Sequence, residues 1–175
     1  MKRTATFLMS LLIAVSAFAQ GSIPILDRVP GHRVHFHYTY SLSKDGKPMT
    51  QVTDGNVTVE DNAFLLSGLG LEVRSDGTTR WSIDREAEEV LIEKVEKDDI
   101  FTNPALFIGS YKHYMDRIKV NSSSKDALDV TLTLDDDTFA RFVLKDIRFA
   151  DKKGKSDFPL DEKSLSKSYV ITDLR

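Results

Sequence analysis

Three closely spaced histidines, His32, His35 and His37, are the first residues of this chain that could do chemistry. On an extended strand an i, i+2 pair points to one side, so His35 and His37 could grip one metal ion. No Cys or carboxylate sits beside them, and His113 is far along the chain. The spacing therefore favours solvated strand histidines. Nucleophilic chemistry fares no better. Cys is absent, and Ser110, in "GSY", belongs to a helical stretch rather than to the strained strand-to-helix elbow that exposes a hydrolase serine. No spacing gathers Ser, His and Asp into a nucleophile and its base. The acidic runs "DREAEE" and "LDDDT" lack calcium-loop spacing and read as solvated turns. "SGLGLE", residues 67–72, lacks the Lys and following helix of a phosphate loop. The expectation is a protein that is not an enzyme, with no cofactor and no metal.

Apolar surface remains. The 175 residues include ten Phe, five Tyr and one Trp, and carry a formal charge of −3. That mild acidity argues against a nucleic-acid partner, whose phosphates call for clustered Lys and Arg. Lys2 and Arg3, the run "FLMSLLIAVSAF" and the small-x-small Ala17-Phe18-Ala19 form the three parts of a secretory signal. The run is short of the roughly 20 residues that span a bilayer. The expectation is cleavage after Ala19, with residues 1–19 removed and 20–175 forming one exported, soluble domain. With no Cys, neither a lipid anchor at the cleavage point nor a disulfide framework is available.

The elements that must position these residues are mostly strands. "QGSIPILDRVPGH" carries two prolines and allows at most a short helical turn between Pro24 and Pro30. "RVHFHYTYSL" alternates strictly, with Val34, Phe36, Tyr38 and Tyr40 on one side, and Asp45-Gly46 supplies a hairpin turn. The period of two returns at Val57 and Val59; at Leu69, Leu71 and Val73; at Trp81 and Ile83; at Val90 and Ile92; and from Leu128 to Leu134. "TFARFVLKDIRF" is a strand of ambiguous phase. Asn103 can cap a helix that starts at Pro104 and continues through "ALFIGSYKHYM", with Ala105, Phe107 or Ile108, Tyr111 and Met115 as its stripe. "NSSSKD" and "DKKGKSD" read as polar connections. Nine or ten strands in an antiparallel meander with one good helix describe a barrel or a sandwich.

The order of the motifs narrows this. "GNVTVEDNAFLLSGLGLEVRSDGTTRWSIDREAEEVLIEK", then "NPALFI", then the closing "SDFPLDEKSLSKSYVITDLR" resembles the LolA-like family of outer-membrane lipoprotein carriers, in particular its short, diverged branch. The shared pattern falls on Gly55, Val57, Val59, Phe64, Ser75, Asp76, Gly77, Trp81, Asn103, Pro104 and Ala105. Two features depart from it. The family's longer amphipathic first helix is here the proline-broken "SIPILDRVP", and its basic lid-latching residue before the Phe strand is replaced by Glu60-Asp61-Asn62.

The resemblance implies a mainly β fold with few helices (α+β): a strongly curved, incompletely closed antiparallel β-barrel with a helical lid. It implies a periplasmic monomer whose cargo is acylated lipoproteins, received from an inner-membrane exporter and passed to an outer-membrane acceptor. A methylene is worth about 0.8 kcal/mol when buried, so a chain of roughly 14 costs about 11 kcal/mol in water and needs a shield. The expected acyl-chain lining is Phe36, Tyr38, Tyr40, Val57, Val59, Phe64, Leu71, Val73, Trp81, Ile83, Val90 and Ile92 from the strands, with Phe107, Ile108 and Tyr111 from the helix. Trp81, placed by the Asp76-Gly77 hairpin, is expected to face the lid. The same pattern would also serve a binding protein for another lipid, or a filled scaffold acting as an interaction domain of the cell envelope.

Overall fold

In the computed structural model, residues 21–68, 70–95 and 104–175 are described. The expected signal segment, Leu69 and the expected helix cap Asn103 lie outside them. Ten strands form one sheet: β1 (His32–Lys44), β2 (Thr50–Glu60), β3 (Ala63–Gly68), β4 (Leu71–Ser75), β5 (Thr79–Asp84), β6 (Glu89–Lys94), β7 (Ile118–Ser123), β8 (Leu128–Asp135), β9 (Thr138–Asp151) and β10 (Val170–Asp173). Their order across the sheet is β10-β6-β5-β4-β3-β2-β1-β9-β8-β7. The sheet is open, with β7 and β10 as its edges. One short helix, α1 (Pro104–Ser110), interrupts the strands.

Turn chemistry sets these boundaries. Asp45 and Gly46 both adopt positive φ, 55° and 68°, the form that matches the twist of a two-strand hairpin. Asp76 Oδ1 accepts the backbone N–H groups of Thr78 and Thr79 at 2.7 and 2.8 Å, closing the β4–β5 turn. Two expectations are corrected. The strand expected at Leu69, Leu71 and Val73 begins at Leu71, after Gly70 turns at φ 76°, and Leu69 lies outside the described residues. The meander is not wholly antiparallel, because β10 joins β6 in parallel. In addition, Asn121–Ser123 extend β7 rather than forming a connection.

Cross-strand neighbours share a face, so the register assigns every side chain. One row runs Phe36, Val57, Leu66, Val73, Ser82, Leu91. The adjacent row runs His35, Thr58, Leu65, Arg74, Trp81, Ile92 on the opposite side. We call the first the inner face, because Phe107, Ile108 and Tyr111 pack there in one core with Phe36, Tyr38, Val57, Val59 and Phe64. Ile23, Ile25, Leu26 and Val29, around a single 3-10 turn at Leu26–Arg28, complete that cover.

On the outer face Trp81, Ile83, Val90 and Ile92 form a separate core under Leu160, Leu165 and Tyr169. The segment carrying those residues is anchored by charge. Arg33 Nε donates to Glu60 Oε2 at 2.9 Å, and its Nη1 and Nη2 donate to Asp157 at 2.8 and 2.7 Å. Glu60 also accepts the backbone N–H groups of Lys153 and Gly154 at 3.1 and 2.8 Å. The guanidinium lies 4.8 Å from the centroid of the buried Phe158 ring. Arg33 and Glu60 are 4% and 2% exposed, whereas Asp157 is 60% exposed.

Removing one partner of a buried ion pair strands the other, at a cost of about 3–5 kcal/mol. Glu60→Ala should therefore lower stability by about that amount in denaturant unfolding, and Asp157→Asn by much less. The hydrogen bonds from Arg33 hold the Asp157 carboxyl below its usual pKa. Its stabilisation is thus present above the unfolded value of about 4 and is lost as pH falls through the folded one. Asp157→Asn should remove that acid-dependent component from stability measured against pH.

Candidate functional site

A hollow lies between α1 and the inner face. Its covered part, about 100 Å³, is lined by Phe36, Tyr38, Tyr40, Thr53, Val57, Leu66, Phe107, Ile108, Phe142 and Leu144. Tyr38, Tyr40, Thr53 and Leu66 continue into an open groove of about 330 Å³, whose far walls are Val52, Gly68, Leu71, Val73, Arg80 and Ser82. Val52 and Leu71 are exposed, as is Met49. Exposed apolar side chains gathered at the mouth of an apolar groove are a recognisable sign of a binding surface.

Three aromatic rings tie helix to sheet. Phe107 of α1 stacks on Phe142 of β9 with centroids 5.2 Å apart, and Phe142 stacks on Tyr40 of β1 at 5.0 Å. Offset ring pairs at such distances are favourable beyond their buried area. The floor is deepened by glycine. Tyr38 pairs with Gly55, and Gly55 with Gly68; a Cβ on Gly55 would collide with the Ser67 backbone, and the missing side chain of Gly68 leaves room beside the phenol. A Cβ on Gly68 would come within 2.7 Å of the Tyr38 hydroxyl oxygen. Burial pushes the pKa values of the Tyr38 and Tyr40 phenols up, consistent with a poorly hydrated interior.

Polar contacts clip the cover in place. The Tyr111 hydroxyl donates to Asp27 Oδ1 at 2.7 Å and accepts the Ile23 backbone N–H at 3.1 Å. Lys112 Nζ reaches the same Asp27 oxygen at 2.8 Å, and Ser22 Oγ donates to Oδ2 at 2.5 Å. Lys112, then Ser22 and Tyr111, hold the Asp27 carboxyl far below the usual carboxylate range. The helix is shorter than "ALFIGSYKHYM" suggests. It ends at Ser110 and continues as a 3-10 turn at Tyr111–Tyr114, which keeps Tyr111 buried and places its hydroxyl on Asp27.

The structure sorts the expected lining into three groups. Phe36, Tyr38, Tyr40, Val57, Leu71, Val73, Phe107 and Ile108 line the hollow or its groove. Val59, Phe64 and Tyr111 are on the same side but are spent in the packed core. Trp81, Ile83, Val90 and Ile92 are corrected: they occupy the outer face under the C-terminal segment, and Trp81 Nε1 donates to Glu162 Oε1 at 3.3 Å. The register Arg74↔Trp81 and Val73↔Ser82 puts Trp81 on the opposite side from Val73.

Leu66, Phe142 and Leu144 join the lining without having been expected there. Leu66 becomes assignable once residues 63–68 are recognised as a strand. Phe142 and Leu144 are hidden by the ambiguous phase of β9, which a bulge opposite Phe36 resolves: Ala140, Phe142 and Leu144 point inward before it, Ile147 and Phe149 after it. His35 and His37 are on the outer face, away from this hollow. No protein-family model matches the chain, and no curated protein matches it.

Tyr111→Phe removes the acceptor of the Ile23 N–H and the donor to Asp27. The Ile23 amide should then exchange with solvent faster than in the unaltered protein, by NMR-detected hydrogen exchange. Because the Asp27 pKa is depressed, its clip is intact above the unfolded carboxylate value and loosens as pH falls toward the folded one. The protection factor of the Ile23 amide, its exchange rate measured against the unprotected rate at the same pH, should therefore fall in acid, and Asp27→Asn should flatten that dependence.

Proposed function

We propose that the protein is an exported carrier of the LolA-like kind, which shields the acyl portion of lipoproteins while they cross the periplasm from an inner-membrane exporter to the outer membrane. The observation that carries this reading is the aromatic hollow under α1, open through an apolar groove to Leu71 and Val52. A single fatty chain suits it: the covered part is walled mostly by aromatic and aliphatic side chains and the adjoining groove is open, so a polar head can stay in water near Thr53, Arg80 and Ser82. The arrangement of an open β-sheet with a short helix laid on one face also fits the resemblance seen in "GNVTVEDNAF", "SDGTTRW" and "NPALFI".

Size favours a second reading. Sites that enclose a small ligand measure about 300–1,000 Å³, and the covered part here is about 100 Å³ with about 330 Å³ of open groove beyond it. The covered part takes the end of one chain and the open groove the rest, and deeper entry parts α1 from the sheet, which suits a single-chain amphiphile as well as one tail of a lipoprotein. In either case the chemistry is binding and release, and the residues that contact the guest are Tyr38, Tyr40, Leu66, Phe107 and Phe142.

Depletion of the protein in its host, with membranes fractionated afterwards, tests the carrier reading: lipoproteins should accumulate away from the outer membrane. Mass spectrometry of lipid extracted from the purified protein tests the alternative, for which free single-chain lipids bind while lipoproteins reach their destination. A chain that carries no acyl species and binds no acyl probe would overturn both. Because Trp81 lies on the other face, its emission should stay unchanged when an alkyl probe fills the hollow. A Trp introduced by Leu66→Trp in a Trp81→Phe chain should respond. The reverse pattern would move the site to the outer face.

A further inference from the structure

The outer face carries a cleft of about 400 Å³ that the acyl groove does not explain, lined by the polar His35, His37, Asn56, Thr58, Asp146 and Arg148 together with Phe36 and Val57. The local backbone builds it. Lys145 and Arg148 are three residues apart and would point to opposite faces of a regular strand. They share the outer face because β9 carries a bulge: its register passes from His35↔Arg148 to His37↔Lys145. Asp146 sits in the bulge at φ 53°, a left-handed conformation that few side chains adopt. Bulges of this kind re-aim side chains, and they gather near functional sites.

The charges around the cleft are unbalanced. Arg33, Arg74, Arg80, Arg85 and Arg141 each hold a carboxylate. Arg148 has no ion-pair partner among the described residues. His35 shares a hydrogen bond between Nδ1 and Thr58 Oγ1 at 2.8 Å, which leaves Nε2 for a guest. His37 Nε2 lies 3.7 Å from Asp54 Oδ2. Burial, and after it Arg33, Arg148 and Lys153, press the His35 pKa down, with Asp157 opposing. Those three cations contribute positive potential at His35, against the negative contribution of Asp157. Asp146 contributes the one carboxylate lining the cleft, an acceptor for hydroxyl groups rather than for a second anion.

We propose that this cleft binds a small ligand joining a phosphate to hydroxyl groups, with the phosphate on Arg148, His35 and Asn56 and a hydroxyl on Asp146. Planar guanidinium and imidazole donors suit phosphate oxygens, and the single acceptor selects against bare phosphate. Such chemistry occurs in a free polyol phosphate and in the headgroup of a glycerophospholipid. The site lies on the other side of the sheet from the acyl groove, with Phe36 and Val57 of the intervening strands bordering both.

The test uses the mature protein with two probes: glycerol 3-phosphate in solution, followed by NMR of the His35 ring and the Arg148 and Thr58 amides, and co-sedimentation with phosphatidylglycerol vesicles. Binding of glycerol phosphate should shift these signals, raise the His35 pKa, and weaken roughly tenfold or more in Arg148→Gln. Arg148 is exposed, so the variant should melt like the parent. Binding to vesicles alone, lost in Arg148→Gln, supports the site with a membrane headgroup as its guest. Inorganic phosphate binding as tightly as glycerol phosphate would overturn the assignment of Asp146. Silence with both probes, or binding indifferent to Arg148→Gln, would overturn the site altogether.

Discussion

A β-sheet has two faces, and in this protein both are apolar over part of their extent, so each needs a cover from elsewhere in the chain. That requirement organises the rest of the molecule. The inner face over β1, β2, β3, β8 and β9 is covered by the N-terminal turn and α1. The outer face over β5 and β6 is covered by the segment after β9. Apolar area exposed on either side would forfeit about 25 cal/mol per Å². The inner cover joins the N-terminal turn to a mid-chain helix while the outer one is the C-terminal segment; they are held by different forces, and the difference bears on which side can admit a guest.

Much of the fold is readable locally, and particular residues show where reading stops. The alternation of Val34 through Tyr40, the Asp45-Gly46 and Asp76-Gly77 turns and the Pro104 start of the helix each depend on neighbours within a few positions, and each appears where the sequence puts it. Trp81 shows the limit. Alternation fixes which residues of one strand share a side, but not which side faces which cover. Trp81 and Val73 are both apolar on paired strands, and local pattern alone groups them. They separate because Leu160, Leu165 and Tyr169, some 80–90 positions later, supply the outer face with a core of its own. Ile23, Ile25 and Leu26 escape local reading for the converse reason: their burial comes from docking, with no helical period to announce it.

Bulges erase phase as well. β9 reverses its in–out order at Asp146, so no single periodic reading of "TFARFVLKDIRF" could assign both Phe142 and Phe149 to the inner face. Two of the groove's aromatic and aliphatic walls, Phe142 and Leu144, are lost to that ambiguity. The same irregularity places Lys145 and Arg148 side by side on the outer face. One extra residue in a strand therefore shapes both sides of the sheet, by re-aiming the side chains beyond it.

The contrast between the two covers reaches the question of function through energetics. On the outer face, lifting the C-terminal segment would separate Arg33 and Glu60 from Asp157, Lys153 and Gly154, and leave charge that a lipid tail could not satisfy. Over the hollow, the contacts of α1 with the sheet include Phe107 on Phe142 and Ile108 beside Tyr38 and Leu66, which are apolar and largely non-directional. An acyl chain sliding between them would exchange one buried apolar contact for another, so the cost of parting helix from sheet is offset by the guest itself. The polar contacts near the helix, from Tyr111 and Lys112 to Asp27, lie at its far end and need not break for such a chain to enter from the Leu71 side. On the proposed reading a fatty tail would enter the inner face by substitution of like for like, whereas entry on the outer face would leave Arg33 and Glu60 without the partners that the C-terminal segment supplies.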